Sequence, residues 1–139
     1  MTVLDLRTIY QHYLDCLNKR EWDALNAFVD DGVRHNGHTL GVAGYRAMLE
    51  RDVSEIPDLR FEMDMIVTER NVVASRLRFD CTPTGHFLGL PVNGQRIVFS
   101  ENVFYMFRGN KIEQVFSVID KAAIEAQLPL LAGAAKTSV

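Results

Sequence analysis

Phe107-Arg108-Gly109-Asn110-Lys111-Ile112 reads as two strand ends joined by a tight reversal, and the register it sets decides the fold. Gly and Asn accept the left-handed backbone that a two-residue hairpin turn requires. A symmetric turn places Phe107 opposite Ile112, and counting back pairs Tyr105 with Gln114, Val103 with Phe116, Glu101 with Val118 and Phe99 with Asp120. Directly opposed residues share one side of a sheet. One face then carries Ile97, Phe99, Glu101, Val103, Tyr105 and Phe107, together with Ile112, Gln114, Phe116, Val118 and Asp120. This face is mostly apolar yet holds two acids, which become diagonal neighbours with β-carbons roughly 7–8 Å apart.

Upstream of the hairpin the same period of two continues. Phe61, Met63 and Met65 alternate with Glu62 and Asp64, and Val73, Ser75, Leu77, Phe79 and Cys81 alternate with Ala74, Arg76, Arg78 and Asp80. Arg70-Asn71 marks the turn between these strands, and a Gly- and Pro-containing connection runs from Thr82 to Gly94. The long strands are expected over Gln95 to Phe107 and Lys111 to Ile119.

Before Pro57 the period is helical. Val3, Leu6, Tyr10, Tyr13, Leu14 and Leu17 form one stripe, with Thr2 and Asp5 in capping-box spacing. A second short helix is expected from Glu21, with Trp22, Leu25, Phe28 and Val29 on one side and Asp30-Asp31-Gly32 as its stop. Val33 to His35 reads as a brief strand. A third helix buries Val42, Tyr45, Leu49, Val53 and Ile56, and a last short one is expected near Lys121 to Leu128, before Pro129 and a fraying tail. Helices followed by a run of antiparallel strands indicate an α+β domain with helices covering one face of a curved sheet.

Composition narrows the functional classes. The 139 residues hold 15 Lys and Arg against 18 Asp and Glu, with the basic residues scattered, which speaks against nucleic acid as partner. No stretch approaches a membrane span and the N-terminus lacks a signal-peptide pattern, so a cytoplasmic protein is expected. Cys16 and Cys81 fit neither a disulfide framework nor a metal knuckle, and His35 with His38 makes only a thin metal pair. No phosphate loop, dinucleotide fingerprint or nucleophile elbow is present.

An acid on an apolar face is costly unless paired, hydrogen-bonded or neutralised. In a cavity, its pKa rises and it exchanges protons near neutrality. Asp120 also directly precedes Lys121-Ala122-Ala123-Ile124 and can instead cap that helix, in which case its pKa falls and it makes a poor base. Glu101 can likewise meet solvent or a partner subunit. Both readings stay open at this point.

Five collinear stretches covering roughly residues 5–128 carry a resemblance: Asp31-Gly32-Val33-Arg34-His35; Gly41-Val42-Ala43-Gly44-Tyr45-Arg46; Ile56-Pro57-Asp58-Leu59-Arg60-Phe61; Thr84-Gly85-His86-Phe87-Leu88-Gly89-Leu90-Pro91 with Gly94; and Gly109-Asn110-Lys111-Ile112 continuing to Ser117-Val118-Ile119-Asp120. Together they resemble the SnoaL-like polyketide cyclases and predicted ester cyclases, within the nuclear transport factor 2-like fold. The resemblance implies a single domain over 1–128, and the small, polar composition after Pro129 adds the expectation of a flexible tail over 129–139. It also implies three N-terminal helices in a cone wrapped by the sheet, an internal pocket, and a homodimer through the outer sheet face. It further implies ring closure by intramolecular aldol chemistry without metal or cofactor, with Asp120 as general acid/base. His35 matches a recurrent histidine that would orient the acid or a substrate carbonyl, or else serves structure alone. Where many relatives have His-Thr-Gly, this chain has Pro83-Thr84-Gly85, and no role passes to His86.

The expected activity is therefore proton abstraction beside a carbonyl of a small apolar or polyketide-like substrate. Asp120 and His35 are the expected catalytic residues, and Glu101, Tyr105, Gln114, Phe116 and Phe99 the expected lining. A non-catalytic binding module and a water-activating hydrolase are the rival readings.

Overall fold

Asp5 opens the first helix, its carboxylate accepting the Thr8 amide at 2.8 Å, so the cap lies at Asp5 while Thr2 falls outside the described residues. The computed structural model describes residues 5–136. Helix α1 spans Leu6–Asn18 and buries Ile9, Tyr10, Tyr13, Leu14 and Leu17 along its apolar stripe. A short 3-10 turn, Trp22–Ala27, follows in place of the expected second helix. Asp30-Asp31-Gly32, expected as a helix stop, lies instead inside strand β1, Val29–His35, which turns into β2, His38–Thr39. Helix α2, Gly41–Glu55, leads to β3, Glu62–Glu69, and β4, Val72–Cys81. The connection after β4 folds into a small hairpin, β5 His86–Phe87 and β6 Leu90–Pro91. Then come β7, Ile97–Arg108, β8, Lys111–Ile119, and α3, Lys121–Lys136. The last helix was expected to stop near Leu128, but its backbone continues through Pro129 to Lys136.

Six strands form one sheet in the order β2-β1-β8-β7-β4-β3, antiparallel except for the parallel β1–β8 pair, and β5–β6 forms a separate two-stranded ribbon. Helices pack on one face of a curved sheet, as an α+β domain requires. The core side of β4 is the alternating set Val73, Ser75, Leu77, Phe79 and Cys81, all buried. A bulge between Met63 and Met65 reconciles the Arg70-Asn71 turn with these partners.

The β7–β8 register needs a correction. Phe107 does face Ile112, and Gly109 takes the positive φ of 61° expected of the turn. Beyond that pair the ladder slips: Met106 pairs with Gln114, Tyr105 with Val115, Val103 with Ser117 and Glu101 with Ile119. Glu113 is the extra residue of a β-bulge, and one extra residue exchanges the two faces of everything after it. The inner face of β8 is consequently Ile112, Val115, Ser117 and Ile119, while Gln114, Phe116 and Val118 point to the other side. The first strand keeps its expected face, with Ile97, Phe99, Val103, Tyr105 and Phe107 all buried.

Candidate active site

Between the helices and the inner face of β7–β8 lies a cavity of about 390 Å³. Sequence spacing explains its walls. Tyr45, Met48, Leu49 and Asp52 follow one another at helical steps of three and four, so α2 presents them as one stripe. Tyr13 and Leu17 do the same from α1, while Glu101, Tyr105, Val115, Ser117 and Ile119 come from the two strands. His35 and Asn36 close one side from the end of β1, and Phe61, Leu88 and Lys121 complete the lining. A smaller aromatic chamber of about 50 Å³, lined by Phe79, Phe87 and Phe99 among others, shares Asp52, Phe61, Glu101 and Ile119 with it. The two acids therefore stand where the larger cavity meets the aromatic chamber.

Glu101 accepts a short hydrogen bond from the Ser117 hydroxyl, and burial holds its carboxyl above the ordinary range against the opposing pull of that bond. Ser117 is itself fixed by Asn36, whose side-chain oxygen accepts the Ser117 amide at 2.8 Å and whose amide donates to the Ser117 carbonyl at 3.2 Å. Asp52 is pushed up to about 7, first by burial and then by the negative charges of Glu101 and Glu55, with Arg51 opposing. Among the described residues neither acid has a cation within ion-pair distance. The Glu101 charge opposes ionisation of Asp52, so the two carboxyls of this site resist ionising together.

Phenols face these acids. The Tyr13 and Tyr45 hydroxyls lie 2.7 Å apart, and Tyr105 packs on Tyr10 and Tyr13 with ring centroids 5.0 and 5.8 Å away. Burial raises all three cavity tyrosines, which keeps them as neutral donors. One Tyr13–Tyr45 bond consumes one of two hydroxyl protons and leaves the other to donate. His35 stands edge-on to Tyr45, centroids 6.5 Å apart, and burial together with His38 lowers its pKa, favouring neutral imidazole.

A model of the SnoaL-like polyketide cyclases matches residues 7–128 of the sequence. The chain belongs to that family. A SnoaL-like polyketide cyclase from Agrobacterium tumefaciens strain C58 is 52% identical, with 92% of this chain and 99% of that one covered at a TM-score of 0.88. TsrD from Streptomyces laurentii is 24% identical over 90% of this chain and 97% of its own at TM-score 0.78. IdmH from Streptomyces antibioticus reaches the same TM-score at 16% identity, covering 90% and 99%. These two share the fold. No curated protein matches the sequence.

Within this SnoaL-like domain the expected site residues separate. Glu101, Tyr105 and His35 come together in the cavity, and Phe99 lines its aromatic extension. Gln114 and Phe116, expected inside, lie on the outer face because of the bulge; Gln114 receives a hydrogen bond from Arg34 and Phe116 is exposed. Asp120, expected diagonal to Glu101, does not share its face: Ile119 stands opposite Glu101 where Val118 was expected, and the strand ends there. The Asp120 carboxylate accepts the Ala123 amide at 3.1 Å as the cap of α3, and Asp120 is absent from the cavity lining. Asp52 and Ser117 were missed. Asp52 was legible, seven residues after Tyr45 on the same helical stripe; Ser117 was not, since its face depends on the bulge. Among the described residues no three of His, Cys, Asp and Glu converge as a metal site, and no helix is long and apolar enough to cross a membrane.

Proposed function

We propose that this SnoaL-like cyclase abstracts a proton beside a carbonyl of a small, largely apolar substrate and closes or isomerises it, with Asp52 and Glu101 as the acid–base pair. The observation that carries this reading is two carboxyls from different elements facing one cavity, one of them shifted to about 7. The ionised member takes the proton from carbon, and the electron pair moves onto the carbonyl oxygen. A phenol of the Tyr13–Tyr45 pair, or neutral His35, donates a hydrogen bond to that oxygen. The enolate carbon then attacks a second carbonyl of the same molecule, or is reprotonated elsewhere, and the protonated carboxyl returns the proton. General acid–base groups of this kind contribute roughly 10²–10⁴-fold in rate. The sequence-based expectation of Asp120 as base is set aside in favour of this pair because its carboxylate is engaged by a backbone amide.

Hydrogen–deuterium exchange at the carbon beside the carbonyl of 2-tetralone, followed by NMR in D₂O, tests the step without the natural substrate. Wild-type protein accelerates exchange, with a rate rising toward about pH 7 as Asp52 ionises. Glu101→Gln and Asp52→Asn each lose about 100-fold, whereas Asp120→Asn retains the rate. Loss in Asp120→Asn alone overturns the assignment in favour of Asp120. Binding without exchange in the wild type makes the domain a binding module.

We also propose that the outer sheet face pairs with a second copy of the chain. Met65, Val67, Phe104, Phe116 and Val118 are all exposed there, an apolar patch of the kind that marks association sites.

A further inference from the structure

The only described residues that overhang the cavity without belonging to its helices or to the large sheet's strands, apart from Phe61 and Asn36, are Lys121 on α3 and Leu88 on the small hairpin. Leu88 and Gly89 form the two-residue reversal between β5 and β6, with φ of 53° and 75°. Such a turn favours Asn or Gly at both positions; a leucine gains nothing from it locally. Positive φ in a residue with a branched apolar side chain and no polar atom is worth a functional explanation.

The rest of the hairpin is pinned. Phe87 is buried against Phe99 with centroids 5.5 Å apart, and Val92 is fully buried. The Thr84 amide donates to the Glu55 carbonyl at the end of α2 at 2.8 Å, and the Asn93 amide closes onto the Gly85 carbonyl at 2.7 Å. The ribbon makes no ladder with the six-stranded sheet, so its tip is a cantilever. That tip brings Leu88 to the cavity wall, where the lining from Leu17, Met48 and Phe61 is apolar, while the residue remains 38% exposed.

We propose that Leu88 is a specificity-determining residue: it covers the apolar body of the substrate while the carbonyl end lies against Asp52 and Glu101. The proposal rests on the acid–base reading of the same cavity. It assigns the substrate two parts, a carbonyl end and a hydrocarbon body large enough to reach the hairpin tip. Small monocyclic ketones lie short of that tip and do not feel it; fused bicyclic ketones do.

The test measures dissociation constants of 2-tetralone and cyclohexanone by ligand-observed NMR for wild type, Leu88→Gly and Leu88→Asn, with melting temperatures alongside. Gly and Asn both suit the turn, so melting temperatures stay within about 3 °C of wild type. Binding of 2-tetralone weakens about fivefold to tenfold in both variants, the loss expected for removing a partly buried leucine contact, while cyclohexanone changes less than twofold. Unchanged 2-tetralone affinity in both variants overturns the proposal, as does absence of 2-tetralone binding in the wild type. An equal loss for both ketones, or a fall of more than about 10 °C in both variants, overturns it as well, because Leu88 then acts through the fold. The readout is binding, so absent deuterium exchange with a retained Leu88 effect sinks the acid–base reading and leaves the covering role standing.

Discussion

Phe104 and Tyr105 are neighbours in one strand and inhabit different proteins, in effect. Tyr105 points inward, 4% exposed and packed among Tyr10 and Tyr13, on the face that carries Glu101 and Ser117; Phe104 points outward, 52% exposed, beside Phe116 and Val118. The inner face combines apolar walls with acids and phenols, which is a site for chemistry in restricted water. The outer face combines large exposed apolar side chains with Asn102, Arg76 and Gln114, and it is the face proposed to pair with a second copy. A pleated strand makes both from one sequence because alternate residues belong to opposite sides.

The sharpest way to break this contrast is to truncate each neighbour. Tyr105→Ala removes a buried aromatic and costs about 3–5 kcal/mol of stability, whereas Phe104→Ala changes the monomer by about 0.5 kcal/mol or less. Urea denaturation measures both. Phe104→Ser with Val118→Lys should convert the proposed dimer to monomer in sedimentation while leaving deuterium exchange intact, and simultaneous loss of exchange would mean the two faces are coupled.

Asp52 gives the next effect, through pH. Its folded pKa of about 7 stands above its ordinary value of 3.8, so the folded state holds a proton that the unfolded state releases. The contribution of the protonated acid is fully present below about pH 4 and is lost as pH rises through about 7. Asp52→Asn removes that dependence. The variant should gain on the order of 4 kcal/mol over wild type at pH 8, roughly 10–15 °C in melting temperature, and gain little at pH 4. A difference that is flat with pH would mean Asp52 ionises freely and the carboxyl pair is not desolvated.

Much of the inner face was legible before any coordinates. The alternation in β4 and β7 placed Val73, Leu77, Phe79, Phe99, Val103 and Tyr105 correctly, since one buried face and a fixed period of two leave little freedom. The helical stripes of α1 and α2 were readable for the same reason. What escaped was local. Nothing in Lys111-Ile112-Glu113-Gln114 announces a bulge, because the unpaired Glu113 is an ordinary polar strand residue, yet it moves Gln114, Phe116 and Val118 outward and Ser117 inward. The extent of β1 was hidden for a related reason: Asp30-Asp31-Gly32 has turn composition, and the parallel pairing of Val29 with Ile112 and of Arg34 with Gln114 on either side keeps the segment in the sheet.

Asp120 shows how the same slip changes the chemistry of a single acid. Without a bulge it would share a face with Glu101; with it, Ile119 stands opposite Glu101, the Asp120 amide donates to the Ser100 carbonyl at 2.9 Å, and its carboxylate is free to cap α3. That cap matters because α3 is tied down beyond it, by fully buried Ile124 and by Gln127, whose side chain takes the Val98 amide at 2.9 Å and donates to the Val98 carbonyl at 2.6 Å. Losing the cap frays one turn of a helix that remains anchored. Asp120→Ala should therefore cost only about 1 kcal/mol in urea denaturation, and Asp120→Asn, which caps equally well, almost nothing. A cost near 3 kcal/mol for both, together with lost exchange, would place the aspartate back among the buried groups of the inner face and dissolve the distinction between it and Glu101.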